Sequence, residues 1–208
     1  MKIFTGTCGG EYKLGKVEEL KLGIMVSPSV TKPPNKDFSK FKCCLDNGAF
    51  RNWQRGYPFM ESSFFACMEK CHKVGIDLHF IVCPDIVTGG KDSLAFSMEY
   101  ARTKLKTAQN LALAVQDGVT PKDVSNEYLG NFTHIFVGGT REWKWETADE
   151  WVKYAHSKDL KCHIGRCGTL DRLEYARDMG ADSVDSTNMA RNDSWNTIER
   201  LYGEKKLF

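Results

Sequence analysis

An α/β fold, closed into a compact (β/α)8 barrel, is the class this 208-residue sequence predicts, and three observations predict it. Eight short apolar runs recur along the chain, helical patterns separate most of them, and a polar or glycine residue follows nearly every run. The runs are rich in Ile, Val, Leu, Phe and Cys, and several are apolar almost throughout. That suits parallel strands covered on both faces better than the alternation of a half-solvated antiparallel sheet.

Strands are predicted over residues 2–4, 22–26, 42–45, 78–83, 111–115, 134–137, 161–164 and 183–184. Helices are predicted over 60–74, 93–109, 121–129, 145–157, 170–179 and 195–201. Thr120 followed by Pro121, and Thr169 ahead of Asp171, supply helix-start chemistry. Strand, loop and helix in repetition is βα-unit syntax, and eight such strands in one chain fit a TIM barrel at the small end of its range. An open doubly wound sheet is the alternative. No G-x-G-x-x-G follows the first strand; Gly6, Gly9 and Gly10 have the wrong spacing and lead into no evident helix, which argues against a dinucleotide site. No linker is visible, so residues 1–208 read as a single catalytic barrel, with the irregular stretch 28–39 as a rim loop or lid.

Composition narrows the partners. With 41% hydrophobic residues, 18 Gly and 6 Pro, the chain is neither disordered nor collagenous. Lys and Arg number 29 against 27 Asp and Glu, too balanced for a purely electrostatic nucleic-acid binder, so any such contact must rest on local charge. No apolar segment is long enough to span a bilayer, and the first residues lack the apolar centre of a signal peptide. A cytoplasmic protein without membrane contact is expected, its eight cysteines mostly reduced thiols. Cys67-x3-Cys71-His72, and Cys162-His163 with Cys167, contain ligand-type side chains but no close Cys-x2-Cys pair, so no metal is expected.

The residues that end the strands carry the functional signal. Asp46 follows the third strand, Asp85 the fourth, Gln116 the fifth, Gly138 and Gly139 the sixth; His163 ends the seventh and Asp185 the eighth. In a barrel these converge on the C-terminal rim, where such enzymes place their chemistry. Taken singly, an aspartate after a strand is as easily a turn former or a helix cap, and Asp46-Asn47-Gly48 is good turn chemistry. Asp182 and Asp185 bracket a very short strand, an offset that assigns one to the wall and one to the mouth. Paired carboxylates at a barrel mouth suit retaining glycosyl transfer, one attacking the anomeric carbon and one assisting the leaving base.

Between Asp46 and Arg191 the sequence resembles the tRNA-guanine transglycosylase superfamily, and by size the branch that inserts 7-deazaguanine derivatives into DNA. The family's D-S-G-G-aromatic segment looks like Asp46-Asn47-Gly48-Ala49-Phe50, and V-Q-G looks like Val115-Gln116-Asp117. G-G-L-x-x-G-E begins as Gly138-Gly139 and departs at Thr140-Arg141-Glu142. The nucleophile motif G-[V/I]-D-x-x-D is similar to Gly180-Ala181-Asp182-Ser183-Val184-Asp185, with Thr187 and Arg191 following at altered spacing. The resemblance implies Asp185 as nucleophile and Asp46 in proton transfer and base recognition. It also implies Phe50 stacking on the base and Asp85, Gln116, Gly138, Gly139 and Arg191 as substrate contacts. His163, ending a strand at the same rim, joins the substrate-binding set.

The implied activity is a ping-pong exchange of guanine for a free 7-deazaguanine base, without cofactor. No cysteine follows Cys167, so the zinc centre of the tRNA enzymes has no counterpart after Asp185, which favours DNA over tRNA as polymer. Basic side chains expected at the rim are Lys32, Lys36, Lys40, Arg51, Arg55, Arg141, Lys144, Arg166 and Arg191, with Trp53, Trp143 and Trp145 available for stacking. An N-glycosidic enzyme acting on free nucleosides, and a non-catalytic nucleic-acid-binding barrel, are the competing expectations.

Overall fold

Eight strands pair each with the next in chain order, all parallel, and the eighth returns to the first to close the barrel. They are β1 (Lys2–Gly6), β2 (Gly23–Val26), β3 (Cys43–Leu45), β4 (Leu78–Val82), β5 (Leu111–Val115), β6 (Phe132–Val137), β7 (Lys161–Ile164) and β8 (Ser183–Ser186). The structure is a computed structural model that describes residues 1–28 and 34–203. Part of the predicted rim loop, with Lys32 and Pro33, lies outside the described residues.

The period of two along each strand divides the apolar residues between two cores. In β5, Leu111, Leu113 and Val115 face the surrounding helices, while Ala112 and Ala114 face the barrel interior. The small alanines leave room for Phe4 of β1 and Phe80 of β4, which fill the lumen with Met25, Cys44, Val82 and Phe136. In the same way Cys162 and Ile164 of β7 pack outward. His163 between them sits inside, its ring stacked on Phe136 at 4.9 Å. This pleat is what turns every second residue of an apolar run toward the axis, and the residues that follow the strands toward the mouth.

Helices cover the outside: α1 (Glu11–Glu19), α2 (Ala49–Gln54), α3 (Glu61–Lys73), α4 (Gly90–Arg102), α5 (Arg141–Ser157), α6 (Leu170–Asp178), α7 (Asn188–Asn192) and α8 (Asn196–Gly203). The glycines before residue 11 do lead into a helix, α1, which the sequence hides because it buries only Val17. The helix expected over 93–109 stops at Arg102, where Leu105 folds back into the core with its N–H on the Tyr100 carbonyl at 2.8 Å. The segment 121–129 forms two 3-10 turns, Pro121–Asp123 and Asn126–Asn131, the first held by reciprocal Thr120 and Asp123 capping. All eight cysteines are buried, and none is disulfide-bonded among the described residues. No described helix is long and apolar enough to cross a membrane.

Candidate active site

A cavity of about 770 Å³ opens at the C-terminal ends of the strands, within the usual range for small-ligand sites. Its wall contains Asp46, Phe50, Asp85, Gln116, Gly138, Gly139, Asp185 and Arg191 of the residues expected there. Gly6, which ends β1, and Thr7, Cys8 and Gly9 of the loop that follows also line it.

The site is built around a run of hydrogen bonds that joins six successive strand ends. After β3, Asp46 extends the ladder with its N–H on the Val26 carbonyl at 2.8 Å. Gly48 then takes φ 76°, the left-handed conformation that lets the chain turn into α2. Asn47 accepts the Ala49 N–H at 2.9 Å and donates across to the next strand end, to the Cys83 carbonyl at 2.7 Å and Asp85 Oδ1 at 2.8 Å. Asp85 Oδ2 accepts from Gln116 Nε2, and Gln116 Oε1 accepts the Gly139 N–H at 2.9 Å. The Gly139 carbonyl accepts from the Arg166 guanidinium, and the Arg166 backbone N–H reaches Asp185 Oδ1 at 3.2 Å. Six loops are thereby held in one relative geometry before any ligand arrives.

The glycine pair is a steric requirement of this run. A Cβ on Gly138 would meet Gln116 Nε2 at 2.7 Å, and one on Gly139 would meet the Trp143 ring at 2.3 Å and Asp117 Oδ2 at 2.8 Å. Arg166 carries a different cost, since it holds φ 62° without being glycine. Its guanidinium lies 3.9 Å from the centre of the Phe50 ring, a cation–π contact inside the cavity. Phe50 in turn packs on Trp53 at 5.8 Å.

Charge is concentrated on the same wall. Burial pushes the Asp46 carboxyl up to about 6, and the neighbouring charge of Asp185 adds to it, while hydrogen bonds from Ser27 and the Gly48 backbone oppose it. Burial also pushes Asp85 up to about 6, against the hydrogen bonds of Asn47 and Gln116 and the Arg166 charge. Arg166 is held below its usual value by burial, with Asp185, Asp46, Asp117 and Asp85 acting the other way. The arrangement offers two carboxyls able to hold a proton near neutrality and a third, Asp185, fixed by N–H donors. Such a set can protonate a leaving group and present a nucleophile in one step.

Several expected residues sit elsewhere. His163 does not line the cavity; it is fully buried beneath Asp185. Asp182 faces the outer wall, accepting the Cys162 N–H at 2.8 Å and pairing with His156 at 2.9 Å, so of the two bracketing aspartates only Asp185 reaches the mouth. Lys144 is not a rim cation. It shares the buried stripe of α5 with Ala148 and Trp151, and its ammonium donates to the Gly165 carbonyl at 2.5 Å. Burial, followed by the nearby Arg166, lowers it to about 8. Trp143 packs beneath Gly139, and Trp145 packs against Tyr175 and Arg172 on the outer surface. In the sequence Asn47 reads as turn chemistry and Arg166 as a basic side chain of the rim; the hint of a larger role for both is their place two residues past a strand end.

No family model matches the sequence, and no curated protein matches it. The site's own geometry is what bears on its use.

Proposed function

We propose that the protein is a base-exchanging transglycosylase that replaces guanine in DNA with a 7-deazaguanine derivative through an aspartyl-sugar intermediate. One observation carries this reading: Asp185, fixed by N–H donors, shares a cavity with Asp46, whose carboxyl holds its proton up to about pH 6. That is the division of labour such an exchange needs. Asp185 attacks C1′ of a guanosine unit as Asp46 protonates the departing guanine. The incoming deazapurine then reverses both steps, so two inversions retain the anomeric configuration.

Asp85 and Gln116 keep unused acceptor capacity on the cavity wall for the N–H groups of a purine edge, and the Phe50 ring supplies a flat apolar face. Arg166 rests on that face, so a base stacking there displaces the guanidinium or is sandwiched by it. The polymer is inferred from the mouth. Lys13, Arg51, Arg55 and Arg191 line the opening, and Trp53, 49% exposed, stands on the same helix as Arg51. Cations with an exposed indole suit a strand whose target base has left the stack.

The test is incubation of the purified protein with DNA or tRNA carrying labelled guanine and a panel of free 7-deazaguanines. Release of label from DNA alone is the expected result. Release from tRNA reassigns the polymer. Release from free guanosine, without dependence on chain length, replaces this reading with a nucleoside enzyme.

A further inference from the structure

His163 is 0% exposed, absent from the cavity wall and enclosed by aromatic rings: Phe136 is stacked on it at 4.9 Å, and Phe80 meets it edge-on at 5.1 Å. Both ring nitrogens are engaged along β8. Nδ1 lies 2.8 Å from Ser183 Oγ and Nε2 lies 3.1 Å from Asp185 Oδ1. An ionised carboxylate only accepts, so Nε2 carries hydrogen, whereas the Ser183 hydroxyl rotates to suit the state of Nδ1. The Arg166 backbone N–H reaches the same carboxylate oxygen at 3.2 Å. Two donors therefore fall on Oδ1, and Oδ2 accepts no hydrogen bond among the described residues.

We infer that His163, oriented by Ser183, is a positioning residue that pins Asp185 through Oδ1 and so makes Oδ2 the oxygen that attacks the sugar. The inference rests on the transglycosylase reading and adds to it a residue that never touches substrate. In the step it implies, an Oδ2 electron pair forms the bond to C1′, and the C1′–N9 pair leaves with guanine, which takes the Asp46 proton. In the return step the incoming base gives its N9 proton to Asp46 and bonds C1′, and the ester pair goes back to Oδ2. The donors on Oδ1 keep that oxygen out of the reaction and fix the carboxylate plane, the kind of orientation whose loss costs about 10–100-fold in rate.

Two readouts test this on the full chain. In base-release assays His163→Phe, which keeps a ring but no donor, should lower kcat about 10–100-fold with little change in KM, and His163→Gln should recover part of the loss. Independently of any substrate, the carboxyl carbon signal of Asp185, assigned by its absence in Asp185→Asn, is compared between variants at one pH. Losing the donor in His163→Phe should move that signal, and His163→Gln should leave it nearer the wild type. Ser183→Ala, a small change in volume, should move it in the same direction if the phenylalanine variant does not fold. An unmoved signal in both His163→Phe and Ser183→Ala overturns the proposal, as does a loss confined to KM. Wild-type protein that releases no base from any polymer overturns the transglycosylase reading, and with it the attacking role of Oδ2, while the carbon signal still decides whether His163 holds Asp185.

Discussion

Asp117 binds Thr140 through both of the threonine's donors, the backbone N–H at 2.7 Å and the hydroxyl at 2.5 Å. Asp117 ends the Val115-Gln116-Asp117 run and Thr140 follows the Gly138-Gly139 pair, so the contact ties two neighbouring strand ends together. Asp117, just past β5, fixes the residue that opens α5, and the Gly138-Gly139 turn between them is held to the Gln116 loop.

Removing one side of that pair should be felt as stability. Asp117→Ala leaves a partly buried N–H and hydroxyl to find water, at a cost of about 1–3 kcal/mol. Thr140→Val, which keeps the N–H contact, should cost less, and the double variant should cost less than the two singles added. Urea denaturation of the three variants checks this; strict additivity would show the contact to be energetically idle.

Asp46 gives a prediction with a defined sign in pH. Its folded value, about 6, lies above that of an unfolded aspartate, so the folded chain holds this proton more tightly. The contribution to stability is full below about pH 4 and is lost as pH rises through about 6, leaving a buried charge that costs on the order of 1–3 kcal/mol at neutrality. Asp46→Asn should therefore be more stable than the wild type at pH 7.5, equal to it near pH 4, and inactive in base release. Wild-type release should decline above pH 6 as the acid is lost. Denaturation at the two pH values settles the sign, and equal stability difference at both would sink it.

What was legible in the sequence follows from what each feature depends on. Strands such as Leu111–Val115 were readable because a parallel strand covered on both faces favours apolar residues along its length, whereas β8, Ser183–Ser186, was legible only as the short Ser183-Val184 pair between two aspartates. The cavity aspartates were readable because strand ends in a closed barrel converge by topology alone. Helices with a thin buried stripe were not: α1 buries Val17 only, and α2 is six residues behind a turn. The roles of Asn47, Arg166 and His163 depend on contacts between loops far apart in sequence. Asn47 meets Asp85 across 38 positions and His163 meets Asp185 across 22, distances over which no local pattern carries information. Lys144 falls one residue ahead of the predicted helix, so it reads as a loop cation; in α5, which starts at Arg141, its spacing from Ala148, Trp151 and Ala155 puts it on the inner face.

Asp185→Asn separates chemistry from binding. The amide retains the shape of the side chain and its place on the cavity wall but is a far poorer nucleophile, so base release and exchange should fall below detection. On the proposed reading the cations of the mouth carry the affinity for DNA, which should stay within about threefold of the wild type, less than 1 kcal/mol. Retained exchange would remove Asp185 from the role of nucleophile, and no binding by a folded variant would move the polymer contact onto the site itself.

The mouth cations make the claim about a polymer quantitative. Arg51 and Arg55 line the opening from α2 and the residue after it, on the same short segment as the exposed Trp53. A residue that neutralises a phosphate releases a counterion, so each lost contact should lower the steepness of the salt dependence by about one in a log–log plot. Arg51→Gln and Arg55→Gln should each weaken DNA binding uniformly across sequences and flatten that slope, while the rate of base release at saturating DNA holds. Trp53→Ala should weaken binding of single strands by about 1–3 kcal/mol without altering the slope, because stacking is not ionic. Fluorescence anisotropy over a range of salt concentrations measures all three. If none of them changes binding, the mouth is only a solvated basic surface, and the cavity below it serves a substrate no larger than a nucleoside.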